Sequence, residues 1–130
     1  LRDVYKRQIL EGSISSDEDL HKAKTFRKHC KLLISLGDCA VTGNVPAMRN
    51  AFKLTDVMDR AYRENVTLQP QIPTRNVPAL LATVKPIHGE VVVDVFVPGC
   101  PPHADAIWYV LNELIEGRIP DPNRVTRFGA

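Results

Sequence analysis

The chain has 130 residues and a formal charge of +2. That is the length of one domain with a real core, and so small a charge gives no electrostatic basis for binding nucleic acid or a membrane surface. No apolar run approaches the ~20 residues of a membrane span, and three widely spaced cysteines make no disulfide framework, which favours a reducing compartment.

The first eight residues, LRDVYKRQ, are mostly polar and run into Ile9 with no turn signal. They resemble translated adaptor sequence, so residues 1–8 are set aside as a non-native leader. There is no initiator Met, and the absence of a signal peptide therefore says nothing about compartment. Ile9 to Ile14 reads as the tail of a strand. Ser15 and Ser16, each three residues ahead of an acid (Glu18, Asp19), offer two registers of a capping box. The helix that follows puts Leu20, Ala23, Phe26 and Cys30 on one stripe, and Cys30 with His29 reads as an ordinary helix end.

Lys31 to Leu36 is predicted as a buried strand, and Gly37 to Asn44 as a loop with glycines at both ends that admits positive φ and close backbone approach. Asn44 is placed as the cap of a short helix with Pro46 in its first turn. Leu54, Val57, Met58, Ala61 and Tyr62 form an apolar stripe on a helix of about three turns and are assigned to the core. Thr67 to His88 is proline-rich connection around one short helix near Ala79 to Val84, and a connection of that kind is usually functional or covered.

Val91 to Val97 is β-branched and apolar apart from Asp94, the pattern of a strand buried on both faces. Pro98-Gly99 ends it, Cys100 sits in the turn, and Pro101-Pro102 are placed to open a helix. That helix carries its apolar stripe on Ile107, Trp108, Leu111, Leu114 and Ile115 and closes at Gly117. Arg118 to Ala130 reads as a surface tail. The domain is accordingly 9–117, with 118–130 outside it.

Cys39 and Cys100 stand just past the ends of two buried strands. Either alone reads equally well as a small core hydrophobe. At equivalent ends of a shared parallel sheet the two loops would lie side by side, where open α/β sheets put their ligands, and the pair then admits a shared metal or cluster site.

The strings LISLGDCAVTGNVPAMRN (33–50) and VDVFVPGCPPHADAIWYVLNELIEGRIP (93–120) closely resemble the small subunits of soluble, NAD-reducing nickel–iron hydrogenases. The wider family includes the small subunits of other nickel–iron hydrogenases and the 20 kDa subunit of respiratory NADH dehydrogenase. The resemblance implies a flavodoxin-like α/β domain, a parallel sheet with helices on both faces, lacking its first strand and the loop after it. It also implies one 4Fe-4S cluster, with two of four thiolate ligands on Cys39 and Cys100; the other two belong to a CxxC motif that this sequence lacks. Gly37, Asp38, Gly43, Gly99 and Pro101 become the cluster surroundings, with glycine amides as donors to its sulfurs. Glu11, at another strand end, resembles an acidic position placed to move protons; the alternative is an ordinary strand-end carboxylate. The flavodoxin-like fold makes FMN a further candidate, on which the residues are silent.

The implied function is electron transfer in a cytoplasmic oxidoreductase. The subunit would take electrons from a large subunit that splits H2 and pass them toward diaphorase iron–sulfur and flavin subunits that reduce NAD, with no nucleic-acid partner and no membrane insertion. Two rivals stand beside it. The respiratory 20 kDa subunit usually carries adjacent cysteines in the upstream loop and a second glycine where this chain has Asn44. A clusterless α/β module would only scaffold a partner. Expressed alone, the chain is expected to aggregate for want of a central strand.

Overall fold

In the computed structural model, which describes residues 7–126, the elements run in chain order from strand β1 (Arg7–Glu11). Strand β2 (Ile14–Ser16), helix α1 (Asp17–His29) and strand β3 (Leu32–Leu36) follow. Next come the short helices α2 (Asp38–Thr42) and α3 (Asn44–Ala47), and helix α4 (Leu54–Asp59). Strands β4 (Leu80–Lys85) and β5 (Val95–Val97) and helix α5 (Ala104–Ile115) complete the order. β1, β3 and β5 form one parallel sheet in the order β1-β3-β5, and β2 pairs antiparallel with β4 as a separate ribbon.

β3 is the centre of the sheet because its sequence, LLISL, can be apolar on both faces. Leu33 packs with Ile14, Ala23, Cys30, Ala40 and Ile87 on the side of α1 and α2. Ile34, flanked by Leu32 and Leu36, packs with Val95, Val97, Val110 and Leu114 on the side of α5. Each fully buried Leu, Ile or Val contributes roughly 1.5–3 kcal/mol of transfer free energy, so the two clusters carry most of the fold. The expected α/β sheet with helices on both faces is thus present. β1 starts at Arg7, two residues before the expected strand, with Arg7 and Gln8 paired to Leu32 and Leu33. Residues 1–6 of the expected leader and 127–130 of the expected tail lie outside the described residues.

At α1 the second of the two capping registers forms. The Ser16 hydroxyl accepts from the Asp19 amide at 3.2 Å, and Asp19 Oδ2 accepts from the Ser16 amide at 2.9 Å and from Ser15. Burial alone pushes the Asp19 carboxyl up, but these donors outweigh it and hold the group below its ordinary value.

Ala79 to Val84 is not a helix: Leu80–Lys85 is a strand, because β2 offers an edge to pair with. Asn50 completes that pairing from the other side, donating to Val84 O at 2.8 Å while accepting from Val84 N at 2.7 Å. Arg49 donates to Leu81 O and Ser15 O. The strand expected over Val91 to Val97 is confined to Val95–Val97, since Asp94 puts its carboxylate, not its backbone alone, opposite Leu33.

The α4 stripe is not core, for none of its residues is buried. The helix passes into a π-helical turn at Arg60–Glu64, and Met58 and Tyr62 line an open groove with Val77 and Leu80. On α5 the buried face is Ala106, Val110 and Leu114, and of the expected stripe only Leu114 belongs to it. Ala106 has no exposed surface, and Val110 and Leu114 pack on Ile34, Val95 and Val97, which leaves Trp108 and Ile115 outside at 69% and 77% exposure. The tail is partly docked: Pro120 is buried and the Asp121 amide donates to the Tyr109 hydroxyl. Gly117 does close α5 as expected, with its amide on Leu114 O and that of Arg118 on Glu113 O, a Schellman pattern.

Candidate functional site

The parallel register brings three strand ends to one edge. Glu11 is opposite Leu36, and Leu36 is opposite Val97, so β1, β3 and β5 all deliver their chains to the same side of the sheet. Cys39 follows the end of β3 by as many residues as Cys100 follows the end of β5. The two cysteines are therefore equivalent in the topology and stand on adjoining segments, which is where open α/β sheets present ligands.

Three hydrogen bonds lock those segments together. The Gly37 amide donates to Val97 O at 2.7 Å, and the Asp38 amide donates to Gly99 O at 2.9 Å. The Gly99 amide donates to Asp38 Oδ1 at 2.6 Å. Such short bonds to a carboxylate are among the stronger ones a backbone makes.

What was expected as a loop around Cys39 is the one-turn helix α2. Its first turn closes because Gly37 O accepts from the Ala40 and Val41 amides, and both of those side chains are buried. Gly43, at a φ of +89°, ends it with its amide on Cys39 O. Asn44 is not the expected cap of α3, since it lies inside that helix at a φ of +35° and Gly43 takes the capping position.

Around Cys100 three proline rings fix φ and stiffen the backbone, and two of them, Pro98 and Pro102, are buried. The Cys100–Pro101 peptide is cis. Pro101 and Pro102 precede α5 rather than open it; His103 is the cap, its Nδ1 accepting from the Asp105 amide at 3.3 Å. The amides of Gly37, Gly43 and Gly99 are all spent on protein acceptors. These glycines shape the backbone, and their amides do not point at a ligand.

Cys39 is half-buried and Cys100 exposed. Cys30 is at the other end of the sheet, capping α1 just before β3, and is 8% exposed. Burial pushes its thiol up, with Asp94 adding and Arg27 opposing, so it stays a protonated core group. Glu11 is exposed at the end of the edge strand, on the same side as Cys39 and Cys100. Two soft thiols on adjoining segments suit half of a four-thiolate set, and among the described residues no group of three or more His, Cys, Asp or Glu could hold a metal. The Asp38 clamp was invisible in the sequence. Its one trace there is a carboxylate set between a glycine and a cysteine in an otherwise apolar stretch.

The chain matches the family described as NADH ubiquinone oxidoreductase, 20 kDa subunit, over residues 4–114. It is 42% identical over 126 residues to the NAD-reducing hydrogenase HoxS subunit delta of Cupriavidus necator, covering 92% of this chain and 60% of that protein. It is 40% identical over 113 residues to a subunit of the F420-non-reducing hydrogenase of Methanothermobacter marburgensis, covering 84% of this chain and 36% of that one. A chain in the crystal structure of an NAD+-reducing [NiFe]-hydrogenase in the H2-reduced state superposes with a TM-score of 0.86 at 32% identity, covering 98% of this chain and 75% of that one. The chain thus spans 60% or less of the length of these two curated relatives. It belongs to the NADH ubiquinone oxidoreductase 20 kDa subunit family and lies among the hydrogenase subunits within it.

Proposed function

We propose that the chain is the electron-transfer small subunit of an NAD-reducing nickel–iron hydrogenase, working in the cytoplasm between an H2-splitting large subunit and a diaphorase module carrying FMN and NAD. The observation that carries this reading is the placement of Cys39 and Cys100 at equivalent offsets past neighbouring parallel strands, joined to the 42% identity with a NAD-reducing hydrogenase subunit. A 4Fe-4S cluster, when bound, supplies one-electron chemistry that thiols alone lack. Cys39 and Cys100 would provide two of its thiolate ligands, the remaining two coming from outside the described residues.

The chain's own contribution is to hold those two thiols still. Gly37, Asp38 and Gly99 fix the two segments against each other, Gly43 ends the Cys39 turn, and the run from Pro98 through Pro101 stiffens the other side. Glu11 is the carboxylate available to carry protons at this edge of the sheet. Among the described residues no helix is long and apolar enough to cross a membrane.

The test uses the full-length subunit assembled with its partners. Cys39→Ala and Cys100→Ala should each abolish H2-dependent NAD reduction and lower bound iron and acid-labile sulfide. Cys30→Ala should keep both and lose only stability in proportion to its burial. Equal loss of activity from all three changes, at unchanged assembly, would refute the assignment. Unchanged iron and sulfide in the Cys39 and Cys100 variants would show that these thiols hold no cluster, and a wild-type subunit that contributes no iron or sulfide to the complex would favour the clusterless scaffold instead.

A further inference from the structure

We propose that Asp38 is the positioning residue of the thiol pair: it clamps both backbone groups of Gly99 and so sets where the Cys100 segment sits relative to Cys39. The proposal rests on the reading that the two thiols share one bound group. The geometry is reciprocal. The Asp38 amide donates to Gly99 O at 2.9 Å, and Asp38 Oδ1 accepts from the Gly99 amide at 2.6 Å. One residue, adjacent to Cys39, thereby fixes the residue adjacent to Cys100. Among the described residues it is the one side chain that hydrogen-bonds across the two segments.

Beside the two backbone bonds from the Gly37 and Asp38 amides, the rest of the site gives that side-chain link its leverage. The Cys100 segment is internally stiff, with Pro98, Pro101 and Pro102 around Gly99 and Cys100. Gly99 is also wedged against Pro102, since a Cβ there would lie 2.4 Å from Pro102 Cα. A stiff segment moves as a unit, and its position is set by what ties it to β3. On the other side Asp38 is itself anchored, its carbonyl accepting from Thr42 Oγ1 at 2.8 Å inside α2. A pair of ligands has to be held within roughly 0.5 Å of working geometry, and a clamp of this kind supplies that tolerance. Glutamate is one methylene too long to keep both bonds. Asparagine keeps an oxygen at the same place but loses the charge.

The experiment uses the full-length subunit in its assembled complex, with two readouts. In iron-stripped complex, dibromobimane bridges two thiols only when they are close, and mass spectrometry quantifies the bridged Cys39–Cys100 peptide. In loaded complex, the low-temperature electron paramagnetic resonance spectrum reports the surroundings of the bound group. Asp38→Ala should lower the bridged yield by about tenfold or more, the factor carried by one lost hydrogen bond to a charged group, while each thiol is alkylated singly at the normal rate. Asp38→Asn should recover most of the bridging. Asp38→Glu, which keeps the charge and folds even if the alanine variant does not, should shift the resonance and reduce bridging.

Wild-type bridging in Asp38→Ala or Asp38→Glu, with an unchanged resonance, overturns the clamp alone. Absence of bridging in the wild type overturns the shared site and the clamp with it.

Discussion

Gly99 carries a φ of +136°, and a Cβ built there would lie 2.4 Å from Pro102 Cα and 2.7 Å from Pro102 N. Both obstacles are backbone, so nothing flexible can move aside. Gly12, at a φ of +76° with nothing within 4 Å of its would-be Cβ, is the natural comparison. Gly12→Ala should cost only the left-handed penalty of about 1–2 kcal/mol, whereas Gly99→Ala should cost more than about 3 kcal/mol because the clash adds to the strain. Denaturant midpoints of the two variants check this, and similar midpoints would show that the Pro98–Pro102 segment relaxes more easily than its geometry allows. At this scale the sequence made the cysteines and their glycines legible, since a thiol just past an apolar β-branched run is a local pattern. It could not show that Gly99 faces Asp38, because that pairing crosses from one strand end to another and leaves no local period.

Asp94 shows how an element is set by one polar group. Its carboxylate accepts from the Leu33 amide at 2.7 Å and from Arg27 Nη1 at 2.6 Å, while its own amide donates to Leu33 O. Arg27, near the end of α1, also reaches the carbonyls of Cys30, Lys31 and Val92, so one guanidinium ties the helix to both β3 and the approach to β5. The same substitution of side chain for backbone shortens β5, and it explains why an unbroken strand from Val91 was the natural but wrong reading. Helix and strand were confused at Leu80–Lys85 for a related reason: a short apolar run has no decisive period, and its pairing partners, β2 and Asn50, are distant in sequence.

Burial pushes the Asp94 carboxyl up, but the Leu33 amide and Arg27 outweigh it and hold the group below its ordinary value of 3.8. A carboxyl depressed by folding stabilises the fold fully above its unfolded value, and that contribution fades as the pH falls through the folded one. Asp94→Asn should therefore be less stable than wild type by about 1 kcal/mol at neutral pH, a modest figure because the ion pair is partly open to solvent. The gap should close in acid. A gap of the same size below the carboxylate range would mean that Asp94 acts through packing and not through charge.

Over the whole molecule, the parallel sheet and the common edge of Glu11, Cys39 and Cys100 were legible, partly from the repeated strand-then-cysteine arrangement and partly from family resemblance. The outer faces were not. On α5 two apolar stripes compete, and the helix buries the one with the small Ala106, leaving Trp108 and Ile115 in solvent. Sequence periodicity ranks stripes by hydrophobicity and does not say which one the sheet covers. In the proposed function Cys39 and Cys100 are ligands of one iron–sulfur group. That assignment is tested most directly by a crystal structure of the full-length subunit in its complex, with anomalous scattering recorded at the iron edge. Iron within bonding distance of both Cys39 Sγ and Cys100 Sγ, and none at Cys30, is the expected result; iron bound wholly by other residues, with these two thiols free, would contradict it.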